Sequence, residues 1–187
     1  MKNLILLLLT ITFPGALLAQ DGGLRIGQPA KDFTVLADYA STKAVVVVFM
    51  NRNCPNSRLY ENRLSSLAGN YAAKGVTFLF INPTISMEDS GAPAGNAPAG
   101  NDNLKLIADD GQKISQQFGA TKTPEAFVLQ NVNGSFILKY KGAIDDNPQL
   151  ESSVREPYLR NAIDAVVANQ AVAVPEKRAL GCMIKRF

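Results

Sequence analysis

The stretch Val45-Val46-Val47-Val48-Phe49-Met50-Asn51-Arg52-Asn53-Cys54-Pro55-Asn56-Ser57 decides how the chain is read. Its opening run of β-branched residues and Phe49 has the composition of a strand covered on both faces, as in the middle of a parallel sheet. Cys54 follows just where that strand ends. From Pro55 to Lys74, apolar or aromatic residues recur at three- and four-residue steps: Leu59, Tyr60, Leu64, Leu67, Ala68 and Tyr71. That spacing predicts a helix with one buried face, stopped by Gly75. Val76-Thr77-Phe78-Leu79-Phe80-Ile81 supplies a second buried strand ending at Asn82-Pro83. The three pieces form a β-α-β unit, which implies a parallel pair joined by a right-handed crossover.

Working outward toward the N-terminus, Asp32 to Leu36 reads as a short strand with Phe33 and Val35 on one face. Toward the C-terminus, Gln112 to Phe118 reads as a short helix capped by Gly119. Thr123-Pro124 precedes a strand at Ala126 to Leu129, Asn133-Gly134 is a hairpin turn, and Ser135 to Tyr140 is the return strand. The span from Pro124 to Tyr140 is therefore an antiparallel hairpin added to the parallel core. Tyr158 to Ala168 predicts a final helix with Leu159, Ile163, Val166 and Val167 inward. Ser86 to Asn103, rich in Gly, Ala, Pro and Asn, lacks the apolar surface to order itself and reads as a flexible surface loop.

The chain starts with Met1-Lys2-Asn3, an apolar run from Leu4 toward Phe13, and Ala16-Leu17-Leu18-Ala19. This is the pattern of a secretory signal peptide, and the run is too short for a membrane span. Cleavage after Ala19 leaves about 168 residues, enough for one domain with a sizeable core. Of 19 basic residues only Lys2 falls in that segment, so 18 remain against 16 acidic ones. A balance this close to neutral points to neither nucleic acid nor an anionic membrane as partner. The chain holds no histidine and two cysteines. Ser-His-Asp and Cys-His catalysis are thereby excluded, and a zinc or copper site lacks its commonest ligand. No cofactor or metal is expected, and chemistry must run through Cys54 and Cys182.

At a helix N-terminus, unpaired N–H groups and the helix dipole favour a thiolate over a thiol. Cys54 therefore suits a reactive role, which Arg52 or Arg58 would strengthen by turning inward. A buried inert cysteine is the alternative.

Several segments carry a family resemblance. Ile26-Gly27-Gln28-Pro29-Ala30-Lys31-Asp32-Phe33 resembles the entry of the redoxin group, the peroxiredoxin or AhpC/TSA-like and thioredoxin-like proteins. Asn53-Cys54-Pro55, Tyr60-Glu61-Asn62-Arg63, Lys74-Gly75-Val76, Thr123-Pro124 and Gly142-Ala143-Ile144-Asp145-Asp146 resemble an exported bacterial branch. That branch ends in a Gly-Cys-x-Ile-Lys tail, matched by Gly181-Cys182-Met183-Ile184-Lys185. The resemblance implies an α/β thioredoxin-like fold, a central mixed β-sheet flanked by helices. With the patterns above, the chain divides into a signal peptide (1–19), a redoxin domain (20–170) with the flexible loop 86–103, and a tail (171–187) carrying Cys182. The resemblance also implies a cis Thr123-Pro124 bond near the Cys54 sulfur, and Asn53, Pro55, Thr123 and Pro124 as substrate-binding residues.

Two departures stand out. A dithiol of the Cys-x-x-Cys type has its second sulfur where this chain has Ser57. A typical peroxiredoxin has threonine three residues before its reactive cysteine, where this chain has Asn51. Cys182 is the resolving candidate if the tail folds back. A purely structural disulfide, or two sulfurs that never meet, are the other arrangements. The expected function is a thiol-dependent oxidoreductase of the cell envelope, periplasmic or secreted. Cys54 acts there on a peroxide or a protein disulfide, with a reducing protein as partner. The rival is a non-catalytic binding domain held by a Cys54 to Cys182 staple.

Overall fold

The computed structural model describes residues 22–31, 33–86 and 104–186. The segment expected to be a signal peptide and nearly all of the loop 86–103 lie outside the described residues. The chain forms a six-stranded mixed sheet in the order β3-β2-β1-β5-β6-β7. Its strands are β1 (Ala44–Phe49), β2 (Val76–Asn82), β3 (Leu106–Ala108), β5 (Glu125–Val132), β6 (Ser135–Gly142) and β7 (Glu176–Lys177). A separate two-stranded ribbon pairs β4 (Lys122–Thr123) with β8 (Cys182–Met183). The helices are α1 (Pro55–Ala72), α2 (Lys113–Phe118) and α3 (Tyr158–Val167).

β1 is parallel to β2 and antiparallel to β5, and all six of its residues are fully buried. Burial on both faces is what its unbroken apolar composition requires, since alternate side chains must enter opposite cores. Val46 and Val48 enter a core closed by Tyr60, Leu64, Leu67 and Tyr71 of α1 and by Leu159, Ala162, Ile163 and Val166 of α3. Val45, Val47 and Phe49 enter the opposite core with Leu24, Leu36, Phe118, Phe127, Leu129 and Ile184. There Phe118 meets Phe49 and Phe127 edge to face, with ring centres 5.6 and 5.2 Å apart, a geometry that aligns ring edges with ring faces.

The hairpin forms as its sequence predicts: Asn133 and Gly134 both take positive φ, the conformation of a type I′ turn. Two expectations fail. Residues 34–39 form a 3₁₀ turn instead of a strand. The segment just before them pairs with the edge of β6, through Gly27 N–H to Leu138 O, Ala30 N–H to Phe136 O and a bridge from Pro29 to Ile137. Leu59 is 41% exposed, outside the buried stripe of α1.

The tail also departs from a simple appendage. After α3 it returns to the sheet, adds β7 beside β6, and then pairs as β8 with β4.

Candidate functional site

Cys54 is the residue flanking the N-terminus of α1, with Pro55 at the helix's first position. Proline lacks an N–H and has φ near the helical value, so that position suits it. Among the described residues no side chain caps the helix start. The approach from β1 is fixed by Asn51, which is buried. Its Nδ2 donates to Pro83 O at 2.8 Å and its Oδ1 accepts the Asn53 N–H at 2.8 Å. Its backbone N–H donates to Ser57 Oγ at 3.2 Å. Asn51 thus ties the Cys54 loop to the end of β2, and Ser57 is fully buried in service of that loop.

Thr123-Pro124 is cis. It brings the Thr123 carbonyl oxygen to 3.1 Å from Cys54 Sγ. Thr123 is fully buried, and its Oγ1 has no hydrogen-bond partner among the described residues. Cys54 and Cys182 form a disulfide across a separation of 128 residues, with Cα atoms 5.9 Å apart. Cys54 is 0% and Cys182 3% exposed, and Ile85 packs against both, so the sulfurs are enclosed while the tail is seated.

The tail reaches this place as the middle strand of a small three-stranded patch. On one side Thr123 pairs with Cys182 and Lys122 with Met183, and Ile184 N–H donates to Thr121 O at 3.0 Å. On the other side Ile85 bridges Ile184, Ser86 N–H donates to Met183 O at 3.0 Å, and Lys185 N–H donates to Thr84 O at 2.9 Å. Two glycines make the path passable. A Cβ on Gly181 would lie 2.1 Å from Thr123 O, and one on Gly142 would lie 1.6 Å from Lys177 O. Both distances are far inside van der Waals contact, so neither position accepts a side chain with the tail in place.

The segment Gly142-Ala143-Ile144-Asp145-Asp146 is a joint. Asp145 is buried, accepts the Tyr60 hydroxyl at 2.7 Å and pairs with the buried Arg63 guanidinium. Asp146 Oδ1 accepts the Arg155 and Glu156 N–H groups ahead of α3, which holds its carboxyl below the usual range. Ile144 O receives the Leu159 N–H. Burial first, and then the hydrogen bond to Asp145, push the Tyr60 hydroxyl pKa well up, so it stays a proton donor. Beside the cis proline, Glu125 accepts the Thr121 and Lys122 N–H groups at 2.7 and 3.1 Å. Desolvation raises its pKa despite those bonds.

The structure therefore brings together Cys54, Thr123, Pro124 and Cys182. Asn53 and Pro55 flank Cys54, the first with its N–H held by Asn51 and the second exposed on the first turn of α1. Arg52 pairs with Glu61 at 3.7 Å, and Arg58 donates to Arg52 O at 3.1 Å. The roles of Asn51, Ser57 and the 84–86 edge escape sequence reasoning. The apolar Ile85 just after Asn82-Pro83 is the only local signal of that edge. Among the described residues no cluster of acidic or cysteine side chains suits a metal ion, and no helix is long and apolar enough to cross a membrane.

The sequence pattern of the AhpC/TSA family matches residues 26–146, well over half of the chain. The chain belongs to the AhpC/TSA family. Its fold is similar to that of a hypothetical protein from Sinorhizobium meliloti 1021, at 25% identity and a TM-score of 0.64, over 81% of this chain and 84% of that one. An uncharacterised conserved protein of Geobacillus kaustophilus is similar at 24% identity and a TM-score of 0.65, over 90% and 94% of the two chains. A candidate thiol:disulfide interchange protein DsbE from Chlorobium tepidum is similar at 19% identity and a TM-score of 0.53, over 78% and 99%. No curated protein matches this AhpC/TSA chain by sequence. Family, thioredoxin-like fold and the Cys54–Cys182 disulfide together support a thiol–disulfide redox function.

Proposed function

We propose that this protein is a thiol–disulfide oxidoreductase of the cell envelope, with Cys54 as nucleophile and Cys182 as the resolving thiol. The observation that carries the reading is the placement of the Cys54–Cys182 bond. One sulfur stands at the start of an 18-residue helix and beside a cis proline, and the other sits on a strand held by backbone pairing and one buried side chain. A helix N-terminus stabilises the thiolate, which is both the better nucleophile and the better leaving group. Ser57 lies where an adjacent second sulfur would sit, so Cys182 takes the resolving role from the tail. Asn53, Pro55, Thr123 and Pro124 border the approach to Cys54 as the substrate-contacting residues.

Protein disulfides suit this site better than peroxide. Asn51 stands where a typical peroxiredoxin has threonine, so the site lacks that hydroxyl, and the Asn51 amide is turned to Pro83 O and the Asn53 N–H instead. Export rests on the Met1 to Ala19 pattern, with a domain from 20 to 170 and a tail from 171 to 187. The test is reduction of insulin disulfides driven by dithiothreitol, together with N-terminal sequencing of the protein recovered from the envelope. Expected are catalysis by the wild type, none by Cys54→Ser, and a mature start at Gln20. Equal rates for wild type and Cys54→Ser would remove the function, and an intact Met1 would remove the export.

A further inference from the structure

The tail does more than deliver a sulfur. Residues 182–185 lie between two backbone edges, 121–123 and 84–86, and pair with both. A strand lodged this way satisfies two rows of N–H and C=O groups that an empty slot would leave open to another extended chain. We propose that this slot is the substrate site, held in the oxidised protein by the tail as a stand-in. Its true occupant is an extended segment of another polypeptide with the pattern Gly-Cys-x-apolar. The proposal rests on the thiol–disulfide reading above and names its substrate class.

Each position of the stand-in defines a preference. At Gly181 the space for a Cβ is filled by Thr123 O and Pro124 Cδ, at 2.1 and 3.2 Å, so the residue before the cysteine is glycine. Met183 is 37% exposed with its sulfur against Lys122 Nζ, so the residue after the cysteine faces solvent beside a lysine and need not be apolar. Ile184 is 5% exposed within the core shared with Phe118 and Phe127, so the second residue after the cysteine is apolar.

The exchange follows from one slot and two claimants. In the reduced protein the Cys54 thiol gives its proton to water, and the thiolate attacks the substrate cysteine lodged at the Cys182 position. A new S–S bond forms, the substrate's own disulfide breaks, and its second sulfur leaves as a thiolate that takes a proton from water. The Cys182 thiol then gives its proton to water and its thiolate attacks Cys54 Sγ; the mixed disulfide breaks, the substrate cysteine leaves as a thiolate that takes a proton from water, and the tail takes the slot. The protein loses two electrons and the substrate disulfide gains them. The structure corresponds to the end of this sequence.

The test uses the full-length mature chain carrying Cys182→Ser. The probes are nonapeptides of the sequence Ala-Leu-Gly-Cys-Met-Ile-Lys-Arg-Phe with the cysteine activated as its thionitrobenzoate disulfide. Release of thionitrobenzoate is followed by absorbance. Versions carrying Gly181→Val or Ile184→Asp, and a scrambled peptide, serve as comparisons. The parent peptide is expected to react at least about tenfold faster than each of the three, the factor set by losing one buried apolar contact or one seated strand. Ellman's reagent, too small to use the slot, measures the thiol itself. Equal peptide rates alongside normal reaction with Ellman's reagent overturn the slot and leave the thiol reading intact. No reaction with either overturns both. The reduced wild-type chain, assayed with the same panel, must show the same order of preference if Cys182→Ser folds poorly, and a flat order there also overturns the slot.

Discussion

At the scale of single residues, the site is defined by groups that position the Cys54 sulfur. Asn51 and Ser57 hold the loop that carries it, and Thr123 O touches it. Because Asn51 is buried and serves Pro83 O and the Asn53 N–H, Asn51→Ala should destabilise the fold by about 1–3 kcal/mol. It should also slow the reaction of reduced Cys54 with Ellman's reagent; urea denaturation and stopped-flow absorbance measure the two effects. Glu125 gives a pH signature. Desolvation raises its pKa in the folded state, so between the unfolded value, about 4.3, and the higher folded value the native protein holds more protons than the unfolded chain. Its contribution to stability therefore falls as pH rises through that window. Glu125→Gln keeps an acceptor for the Thr121 and Lys122 N–H groups and has no charge to desolvate. The melting temperature of Glu125→Gln minus that of wild type should rise with pH above about 4.3 and then level off. A flat difference would show that Glu125 is not desolvated.

At the scale of elements, the tail is the part least visible in the sequence. β1, α1, the hairpin and α3 announce themselves through local patterns: a continuous apolar run, a three- and four-residue apolar spacing, an Asn-Gly turn. Periodicity reports such elements because each repeats over many residues. β4, β7 and β8 are two residues long and pair across great sequence distances, so they carry no period. Their signal is steric and resides in Gly142 and Gly181, whose meaning appears only when the crossing chain is present. The strand expected from the alternation of Phe33 and Val35 is a 3₁₀ turn from Thr34 to Tyr39, an alternation too short to separate the two. Gly181→Ala should block seating of β8 and cut the ratio of oxidised to reduced protein at a fixed glutathione ratio by at least about tenfold, equivalent to about 1.4 kcal/mol. Thiol alkylation and mass spectrometry read that ratio. Asp145→Asn, which leaves the buried Arg63 without its buried partner, should cost about 3–5 kcal/mol in denaturant unfolding.

For the whole molecule, the question is whether the disulfide is a working bond or a staple. In the chain-entropy model a bond spanning 128 residues stabilises the fold by about 5 kcal/mol. Yet both cores are built from β1, β2, β5, β6 and the helices, and the tail beyond residue 175 adds only Ile184 to them. The reduced protein should therefore keep its circular dichroism while residues 176–186 become open to trypsin at Lys177 and Arg178. The direct test is titration of the mature protein in glutathione buffers, with thiols trapped by alkylation and Cys54 and Cys182 mapped by mass spectrometry. An exchangeable pair, as the account predicts, gives a midpoint above about −270 mV; a midpoint below about −300 mV would mean a permanent staple and contradict it.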